Sequence, residues 1–295
     1  MVKAKIAKFI LVALIGANLL AWFLVWDQNK ARFLEVSFFD VGQGEAILIE
    51  TPQGHQILID GGPDSIILEK LKKEMPPWDK SIDIVILTHP ESDHLTGLIE
   101  VLKRYKVDFI FWTGIKRETK KWYLWRDVLE KEKKEGTNII LAKAGQKITA
   151  SEASIFIIYP FENLKEKLIK DSNNTSIVFK LVYGESTFLF TGDIYQKAEK
   201  EILEKDYDLS AKILKVAHHG SNTSSGREFI EEVSPVWATI SAGKNNPYHH
   251  PHPEVLKILR EAGVSILRTD EMGDIKFFSD GKHLRFFTEK KPLKD

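Results

Sequence analysis

Four side chains of metal-ligand type occur within a stretch of six residues in this chain. They are His89, Glu91, Asp93 and His94. The apolar run Ile82–Leu87 precedes them and predicts a buried strand, and a predicted helix follows them. A strand end holds the first side chains rigidly, while the turn after it lets successive side chains converge instead of alternating. Imidazole and carboxylate groups at such a junction indicate a metal site more than a solvated loop.

The other histidines are clustered as well. Seven of the nine histidines fall in three groups, each at the end of a predicted strand or in the loop after one. Besides the run above, these groups are the pair His218–His219 and the loop with His249, His250 and His252. Scattered histidines are usually surface or satisfied core residues, which is our interpretation of His55 and His283. Asp193 also closes an apolar strand, and spacing leaves open whether it bridges cations or caps a helix.

Composition limits the chemistry available to these groups. The formal net charge of the 295 residues is +0, so no bulk basic footprint for nucleic acid is visible, although a local basic groove stays open. The chain has no cysteine, which excludes disulfides and thiolate ligands. Any metal must therefore be held by His, Asp, Glu, Asn or water.

Predicted strands dominate both halves of the chain, with helices between them. A hairpin is predicted around Gly184 and Glu185, between strands Ser176–Tyr183 and Ser186–Thr191. For Trp112, Trp122 and Trp125 the sequence leaves two predictions open, since they could lie in the core or on a surface that binds nucleic acid. The predicted helices are Ser65–Glu74, Thr96–Tyr105, Lys121–Lys134, Gln196–Lys205, Arg227–Glu232 and Pro253–Ala262. This pattern fits two sheets packed face to face with helices outside them, an α+β fold.

The first 32 residues form a separate predicted segment. The run Phe9–Trp26 contains no charged residue, and about 18–20 apolar residues are enough to span a bilayer. Lysines before the run favour a cytoplasmic N-terminus, and Trp22 and Trp26 suit the membrane interface. We therefore expect a single-pass membrane anchor and linker over residues 1–32 and an extracytoplasmic domain over 33–295. A cleaved signal peptide and a buried core helix are the alternatives.

A series of motifs resembles, in order, those of the metallo-β-lactamase superfamily. They are Asp60-Gly61-Gly62, His89-x-Glu91-x-Asp93-His94, Thr191-Gly192-Asp193 and His218-His219-Gly220. Further motifs resemble the extracytoplasmic hydrolase domain of ComEC-type competence proteins. These are the glycine-rich stretch from Phe39 to Ala46, Asn173-Asn174-Thr175-Ser176, His218-His219-Gly220-Ser221 and His250-Pro251-His252-Pro253. The resemblance implies an αββα sandwich, preceded here by the transmembrane helix, with a metal site along one edge.

The resemblance also assigns roles to residues. His89 and Glu91 would bind one divalent ion, while Asp93, His94 and a histidine of the 218/219 pair would bind another, with Asp193 bridging. His219 matches the family's last ligand better, and His218 would then support the site or touch substrate. Asp60 would orient a metal-bound histidine. Asn173 and Asn174 would lie near the site, and the candidate catalytic residues are Asp93, His250 and His252, either histidine being able to protonate the leaving oxygen.

Two departures from the superfamily pattern weaken the first metal position. Glu91 stands where a histidine is usual, and no histidine occurs between His94 and His218, where Asn173-Asn174 fills the corresponding region. Oxygen ligands suit harder cations such as Mn²⁺, whereas imidazole-rich sites suit Zn²⁺. We therefore expect one or two divalent ions, Zn²⁺ or Mn²⁺, in a site weaker and more tolerant of Mn²⁺ than a typical zinc hydrolase.

The expected function is a membrane-anchored, metal-dependent phosphodiesterase or nuclease. A bridged metal pair would supply a nucleophile at neutral pH and clamp the phosphate oxygens. The substrate is a phosphodiester, with DNA as a candidate through the resemblance to competence proteins. The alternatives are a phosphoesterase acting on envelope or small-molecule head groups and a non-enzymatic binding module. Superfamily membership does not establish a substrate, and no protein partner is inferred.

Overall fold

The computed structural model describes residues 2–28 and 33–290. The chain divides into two compact units, Met1–Arg32 and Phe33–Asp295. The first unit contains helix α1 (Val2–Gln28), in which the side chains of Phe9 and Trp22 are exposed. Within residues 2–28 and 33–290, no helix combines the length and the apolar character needed to cross a bilayer. The structure therefore does not support the predicted transmembrane helix, and part of the predicted linker, residues 29–32, lies outside the described residues.

The second unit is built on two β-sheets. The strands are β1 (Leu34–Phe38), β2 (Ile47–Glu50), β3 (Gln56–Ile59), β4 (Ser81–Ile86), β5 (Lys106–Trp112), β6 (Asn138–Leu141), β7 (Lys147–Ala150), β8 (Ala153–Tyr159), β9 (Val178–Tyr183), β10 (Ser186–Phe190), β11 (Ile213–Lys215), β12 (Trp237–Ile240), β13 (Ser265–Arg268), β14 (Ile275–Ser279) and β15 (Leu284–Thr288). One sheet has the order β15-β14-β1-β2-β3-β4-β5-β6, and the other has the order β13-β12-β11-β10-β9-β8-β7.

Helices cover the outer face of each sheet. The helices of this unit are α2 (Ile66–Glu74), α3 (Ser92–Leu102), α4 (Lys120–Glu135), α5 (Gln196–Leu203), α6 (Arg227–Val233), α7 (Pro253–Glu261) and α8 (Thr269–Met272). Buried apolar residues of α2, α3 and α4 pack on the first sheet, and those of α5, α6 and α7 pack on the second. The predicted αββα sandwich is thereby confirmed.

The core between the sheets is rich in aromatic residues. Phe179 and Phe190 stack with ring centroids 4.7 Å apart, and Phe38 and Phe277 pack beside them in the same apolar cluster. Burying this much apolar surface between the sheets is the main favourable contribution to folding. On the outer face of the first sheet, Trp125 of α4 is fully buried and packs in the apolar cluster between the helices and that sheet. The tryptophans predicted to be either core or surface residues are therefore core residues. Trp122 and Trp125 are buried, and Trp112 packs beside Trp125.

Most predicted elements are present with shifted ends. The hairpin is confirmed, since Tyr183 and Ser186 are paired across the turn that joins β9 to β10. The largest shift is at α3, which begins at Ser92 instead of near Thr96. The N–H of Leu95 donates to the carbonyl of Glu91 at 2.9 Å, which closes the first helical turn. The predicted ligands Asp93 and His94 therefore lie in a helix and not in a loop.

Strand direction brings the motifs to one edge of the sandwich. Strands β3 to β6 are mutually parallel, and so are strands β10 to β13. Parallel strands present their carboxyl ends at the same edge, which is where ligands bind in sheets of this kind. Asp60 follows β3, His89 follows β4, Asp193 follows β10 and His219 follows β11. The chain therefore delivers its polar side chains from both sheets to a shared edge.

Candidate metal centre

Four side chains converge at this edge in the arrangement of a metal site. They are Asp93, His94, Asp193 and His219, whose ligand atoms all lie within 4.8 Å of one another. The Nε2 atoms of His94 and His219 are each 3.3 Å from Oδ2 of Asp193. The Nε2 atom of His219 is also 3.3 Å from Oδ2 of Asp93, whose side chain is 30% exposed. One carboxylate thus faces two imidazoles, and Asp93 opens the group to solvent.

The donor atoms that point into this group have no hydrogen-bond partner among the described residues. These buried atoms are Nε2 of His94, Nε2 of His219, Oδ1 of Asp193 and Nε2 of the neighbouring His89. Buried polar atoms are almost always hydrogen-bonded, and a set of unsatisfied ones needs an explanation. Imidazole nitrogens and carboxylate oxygens are the ligands that Zn²⁺ and Mn²⁺ take in proteins. The donor set therefore fits a divalent cation.

Each of the two histidines is oriented through its other nitrogen. Nδ1 of His94 is 2.7 Å from Oδ2 of Asp60, and Nδ1 of His219 is 2.8 Å from the carbonyl oxygen of Ser241. Since both partners are acceptors, each Nδ1 carries a proton and donates it. This fixes the ring orientation and directs Nε2 into the site, the usual support of a metal-binding imidazole.

Asp60 is held by the strand-end turns around it. Its carboxylate accepts hydrogen bonds from the N–H of Thr88 at 2.8 Å and from the hydroxyl of Thr88 at 2.6 Å. Its backbone is left-handed, with φ of 54°, which a short polar residue tolerates. Helix α3 packs directly on this turn, because a Cβ at Gly97 would lie only 1.8 Å from the carbonyl oxygen of Gly61. Only glycine permits this approach, which places the first turn of α3 against Asp60.

The other half of the predicted ligand set is arranged differently. His89 lies beside the four-residue group, with its ring centroid 4.2 Å from that of His94 and its Nε2 3.9 Å from Oδ2 of Asp193. Oε1 of Glu91 accepts a hydrogen bond from the hydroxyl of Ser172 at 2.7 Å and is ion-paired with Arg117. The structure therefore places His89 next to the four-residue group and pairs Glu91 with the guanidinium of Arg117.

The Asn173–Ser176 segment supports Asp193 and the neighbouring His218. The hydroxyl of Ser176 accepts from the N–H of Asp193 at 3.0 Å, and the side-chain oxygen of Asn174 accepts from the N–H of Tyr195 at 2.8 Å. Nδ2 of Asn173 donates to Nε2 of His218 at 3.3 Å. Asn173 thus holds the side chain of His218 and Asn174 the backbone of Tyr195, and neither asparagine belongs to the four-residue group.

The turn Ala217–Gly220 separates the two adjacent histidines. His218 and His219 both have left-handed backbones, with φ of 49° and 55°. Such strained conformations in non-glycine residues concentrate at functional sites. The turn directs His219 into the four-residue group and His218 to its side, where Nδ1 of His218 lies 3.2 Å from the hydroxyl of Thr223.

The histidine-rich loop after β12 contributes one ring near the centre. The His250 ring lies 5.5 Å from the His218 ring, and its side chain is half-buried. Burial, together with the neighbouring His218, lowers the pKa of His250 to about 4. His252 is the N-cap residue of α7, where its Nδ1 accepts from the N–H of Glu254 at 3.4 Å. His249 lies outside the centre, on an exposed part of the loop.

Charge within the centre favours a cation. Burial is the largest single influence and would lower the pKa of His94 and of His219, but the nearby carboxylates together outweigh it. These are Asp193 with Asp60 for His94, and Asp193 with Asp93 for His219. The pKa of His94 lies well above its usual value, and that of His219 is raised to about 9. Burial opposes ionisation of Asp193, yet the two imidazoles hold its pKa well below the usual range. The pKa of His89, in contrast, is lowered well below normal, chiefly by burial.

A buried ion pair beneath the centre was missed by the sequence analysis. Glu45 and Lys215 are both fully buried and form a salt bridge between the first glycine-rich turn and β11 of the other sheet. The N–H of Glu45 donates to the carbonyl of Asp93 at 3.2 Å, which connects this pair to α3. Removing one partner of such a pair typically costs about 3–5 kcal/mol. Glu45 lies in a motif quoted above, whereas Lys215 is hidden in an apolar strand.

With the fold and the centre described, comparison with known proteins identifies the class. Residues 39–244 match the metallo-beta-lactamase superfamily. The chain therefore belongs to this superfamily of metal-dependent hydrolases, as its motifs predicted.

Two curated relatives are competence proteins. ComE operon protein 3 of Bacillus subtilis is 33% identical over 261 residues, which cover 82% of this chain and 33% of that protein. Competence protein ComA of Neisseria gonorrhoeae is 28% identical over 257 residues, which cover 85% and 32%. The resemblance to ComEC-type competence proteins is confirmed, and the chain spans about a third of the length of these relatives. Among solved structures, Igni18, a metallo hydrolase from Ignicoccus hospitalis, superposes with a TM-score of 0.52 at 16% identity over 82% of this chain and 98% of that one, which shows the fold alone.

Proposed function

We propose that this protein is a metal-dependent phosphodiesterase whose substrate is nucleic acid. The observation that carries the proposal is the convergence of three buried imidazole nitrogens and one carboxylate oxygen, none of which has a hydrogen-bond partner in the described part of the chain. Asp93 leaves this group partly open to solvent, so that a substrate can reach it. The competence proteins among the relatives support nucleic acid as the substrate class.

Two metal positions of unequal quality follow from the contacts. Asp93, His94, Asp193 and His219 would hold one divalent ion, and His89 with Asp193 would offer a poorer second position. A divalent ion bound here supplies a nucleophile at neutral pH and neutralises charge on the phosphate. Asp60 holds the ring of His94 in place for this task. Because the second position has a single imidazole, we propose that it discriminates less between Mn²⁺ and Zn²⁺.

His250 is the candidate for a proton transfer to the leaving oxygen. Its pKa of about 4 leaves it neutral at pH 7 before substrate binds, and its buried Nδ1 has no partner among the described residues. A phosphate anion nearby would favour the charged imidazolium and raise this pKa. Protonation of His250 would then be linked to the arrival of substrate. His252 takes a helix-capping role and lies further from this task.

The decisive experiment is metal-dependent hydrolysis by the full chain. After removal of bound metal with a chelator, Mn²⁺, Zn²⁺ or Mg²⁺ is added back with single-stranded DNA, bis(p-nitrophenyl) phosphate or lipid head-group esters as substrate. We expect hydrolysis of DNA and of bis(p-nitrophenyl) phosphate, and loss of both in Asp93→Asn. A preference for head-group esters would replace nucleic acid with an envelope substrate. The absence of metal-supported hydrolysis of every ester would reject the proposal.

Membrane attachment is a separate proposal with weaker support. Only the uncharged run Phe9–Trp26 favours it. Fractionation of cells that express the full chain, followed by carbonate extraction, tests this point. Recovery of the protein in the membrane pellet after extraction is expected for an integral anchor, and recovery in the supernatant would reject one.

A further inference from the structure

A polar cleft lies beside the candidate metal centre. It has a volume of about 560 Å³. Loop residues 243–246 and 249–251 form one wall, with Tyr248 at the exposed tip of the same loop, and Arg268, Asp270, Glu271 and Lys290 form the other. His250 lines the cleft and also contacts the ring of His218, next to the centre. The cleft therefore continues outward from the site at which the proposed reaction takes place.

A run of aromatic rings leads from solvent at the tip of this loop to the centre. Tyr248 is 64% exposed, and its ring stacks on that of His250 with centroids 5.8 Å apart and an interplanar angle of 25°. The ring of His250 contacts His218, whose ring lies 6.2 Å from that of His219. The outer face of Tyr248 is therefore an exposed aromatic surface at the end of a series of rings that reaches a candidate ligand.

The loop that presents Tyr248 is held by one side chain. Nδ2 of Asn246 donates to the carbonyl oxygens of Gly243 at 2.9 Å and His250 at 2.6 Å, and its Oδ1 accepts from the N–H of His250 at 3.0 Å. These hydrogen bonds close the loop on both sides of Tyr248. A ring presented by a preorganised loop loses little conformational entropy on binding, which favours recognition.

Positive charge in the cleft is available to a ligand. Arg268 is paired with Asp270 and with Glu271, each at 2.7 Å, so that the acidic groups of the cleft are largely neutralised. Lys244 is exposed and forms no ion pair within the described part of the chain. Lys290 is 59% exposed and lies 3.9 Å from the carboxylate of Asp40. Lys244 is therefore the cleft cation best able to meet a phosphate, with Lys290 second.

We propose that Tyr248 and this cleft form a subsite for single-stranded nucleic acid, in which a base stacks on Tyr248 and an adjacent phosphate lies near Lys244. The inference rests on the proposed function, because the subsite holds the nucleotides next to the phosphodiester at the metal centre. Bases stack on aromatic rings with little dependence on sequence, since every base has a π-face. A base is also the group that a small phosphodiester or a lipid head group lacks.

Binding to two matched oligomers tests the subsite. Fluorescence anisotropy is measured with the full chain in chelator, so that no cleavage occurs, using labelled oligothymidylate and an abasic oligomer with the same number of phosphates. We expect Tyr248→Ala to weaken binding of oligothymidylate about tenfold and to leave the abasic oligomer unaffected. Tyr248→Phe keeps the ring and should bind oligothymidylate like the wild type. Trp78→Ala, which removes an 84% exposed aromatic elsewhere, is the matched control and should change neither affinity.

The charge contribution is separated by Lys244→Ala. This variant should weaken both oligomers, and the log–log dependence of affinity on salt should decrease by about 0.7. Equal affinity of Tyr248→Ala and wild type for oligothymidylate would overturn the inference.

The outcomes distinguish this subsite from the proposed reaction. If the wild type hydrolyses bis(p-nitrophenyl) phosphate with added metal but binds neither oligomer, the subsite is rejected and the phosphodiesterase stands. If oligothymidylate binding depends on Tyr248 but no metal supports hydrolysis, the subsite stands and the hydrolase proposal fails.

Discussion

The two halves of the candidate metal centre differ in what satisfies their side chains. In one half, the inward atoms of His94, His219 and Asp193 have no partner among the described residues, while the outward nitrogens of both histidines are bound. In the other half, formed by His89 and Glu91, Nε2 of His89 is also without a hydrogen-bond partner among the described residues, but Glu91 is already paired with Arg117. Both halves draw on the same six-residue motif. A residue of ligand type is therefore a good ligand candidate only where the surrounding protein leaves its donor atom unsatisfied.

The largest effect should separate two isosteric changes within that motif. We call the group of Asp93, His94, Asp193 and His219 the complete half, and Asp93→Asn removes a carboxylate from it. We expect kcat/KM for bis(p-nitrophenyl) phosphate to fall by at least about 1,000-fold, since the ion provides several kcal/mol of transition-state stabilisation. Glu91→Gln removes a carboxylate already neutralised by Arg117, and we expect a loss of no more than about tenfold. Steady-state kinetics with saturating Mn²⁺ or Zn²⁺ measure both.

Metal content measured by mass spectrometry serves as the second readout for this pair. Asp93→Asn should lose the tightly held ion, and Glu91→Gln should keep it. Equal losses of activity and of metal in the two variants would show that the halves do not differ, and Glu91 would then be a ligand. Asp108→Asn, an exposed carboxylate on β5, controls for general effects of the change.

The second effect concerns protons in the metal-free protein. The pKa of His219 is raised from 6.5 to about 9, so its protonated form stabilises the folded state fully below pH 6.5, and this stability is lost as pH rises to about 9. The loss from His219 is about 3 kcal/mol at most, and His94, whose pKa is also raised, adds a decline in the same direction. His89 adds nothing over this range, because its lowered pKa leaves it neutral. Urea unfolding in chelator between pH 6 and 9.5 should show the decline.

Two comparisons test the origin of this pH dependence. His219→Gln should make the decline shallower and leave the part that comes from His94, and saturation with metal should remove the decline because bound metal replaces the protons. Metal affinity should rise with pH over the same range. Stability of the metal-free protein that increased from pH 6.5 to 9 would contradict the assignment of protonated imidazoles to this half.

Much of the fold could be predicted because its signals are local. The apolar runs and turn residues predict the strands, and the predicted strands and helices together predict two sheets with helices outside. The start of α3 was predicted four residues too late, at Thr96, because Ser92, Asp93 and His94 are weak helix formers. Tertiary packing of Gly97 on Gly61 outweighs that propensity.

The missed parts of the site depend on contacts between distant residues. Arg117 lies 26 residues from Glu91 in sequence, and Ser172 lies 81 residues away. Neither residue stands in a motif, so no local pattern indicates that they meet. Lys215 is similar, since a lysine inside an apolar strand predicts an exposed edge until Glu45 from the other sheet is placed beside it. Such pairs follow from the packing of the two sheets.

A third, smaller effect tests the support of the complete half. In Asp60→Asn the backbone can remain left-handed, since asparagine tolerates this conformation, but the charge that holds His94 is lost. We expect metal affinity to weaken about 10- to 100-fold. Isothermal titration with Mn²⁺ or Zn²⁺ measures the change. Thr88→Val removes the hydroxyl that lies next to Nδ1 of His89 and also donates to Asp60. The N–H of Thr88 still binds Asp60 and the charge of Asp60 is kept, so this change should cost less. The reverse order would place the better-supported ligand at His89.

The smallest effect should come from freeing Glu91, in the half formed by His89 and Glu91, to bind a metal ion. Arg117→Ala removes the cation that is paired with Glu91, and the freed carboxylate becomes available to an ion held by His89 and Asp193. Affinity for a second equivalent of Mn²⁺ should tighten about fivefold, because an added anionic ligand strengthens oxygen-rich sites. Titration of the second equivalent measures this, and the first equivalent should bind as in the wild type.

The double variant Arg117→Ala with Glu91→Gln decides the cause. If Glu91 acts as the released ligand, the gain should disappear in the double variant, and the cycle should show a coupling of about 1 kcal/mol between the two positions. If Arg117→Ala instead weakens the second ion, Arg117 holds Glu91 in its binding position, and the two halves are more alike than their contacts indicate. If the gain persists without the carboxylate, it arises from loss of repulsion between the guanidinium and the ion. The comparison of the halves therefore rests on whether Glu91 is diverted from the metal or directed toward it.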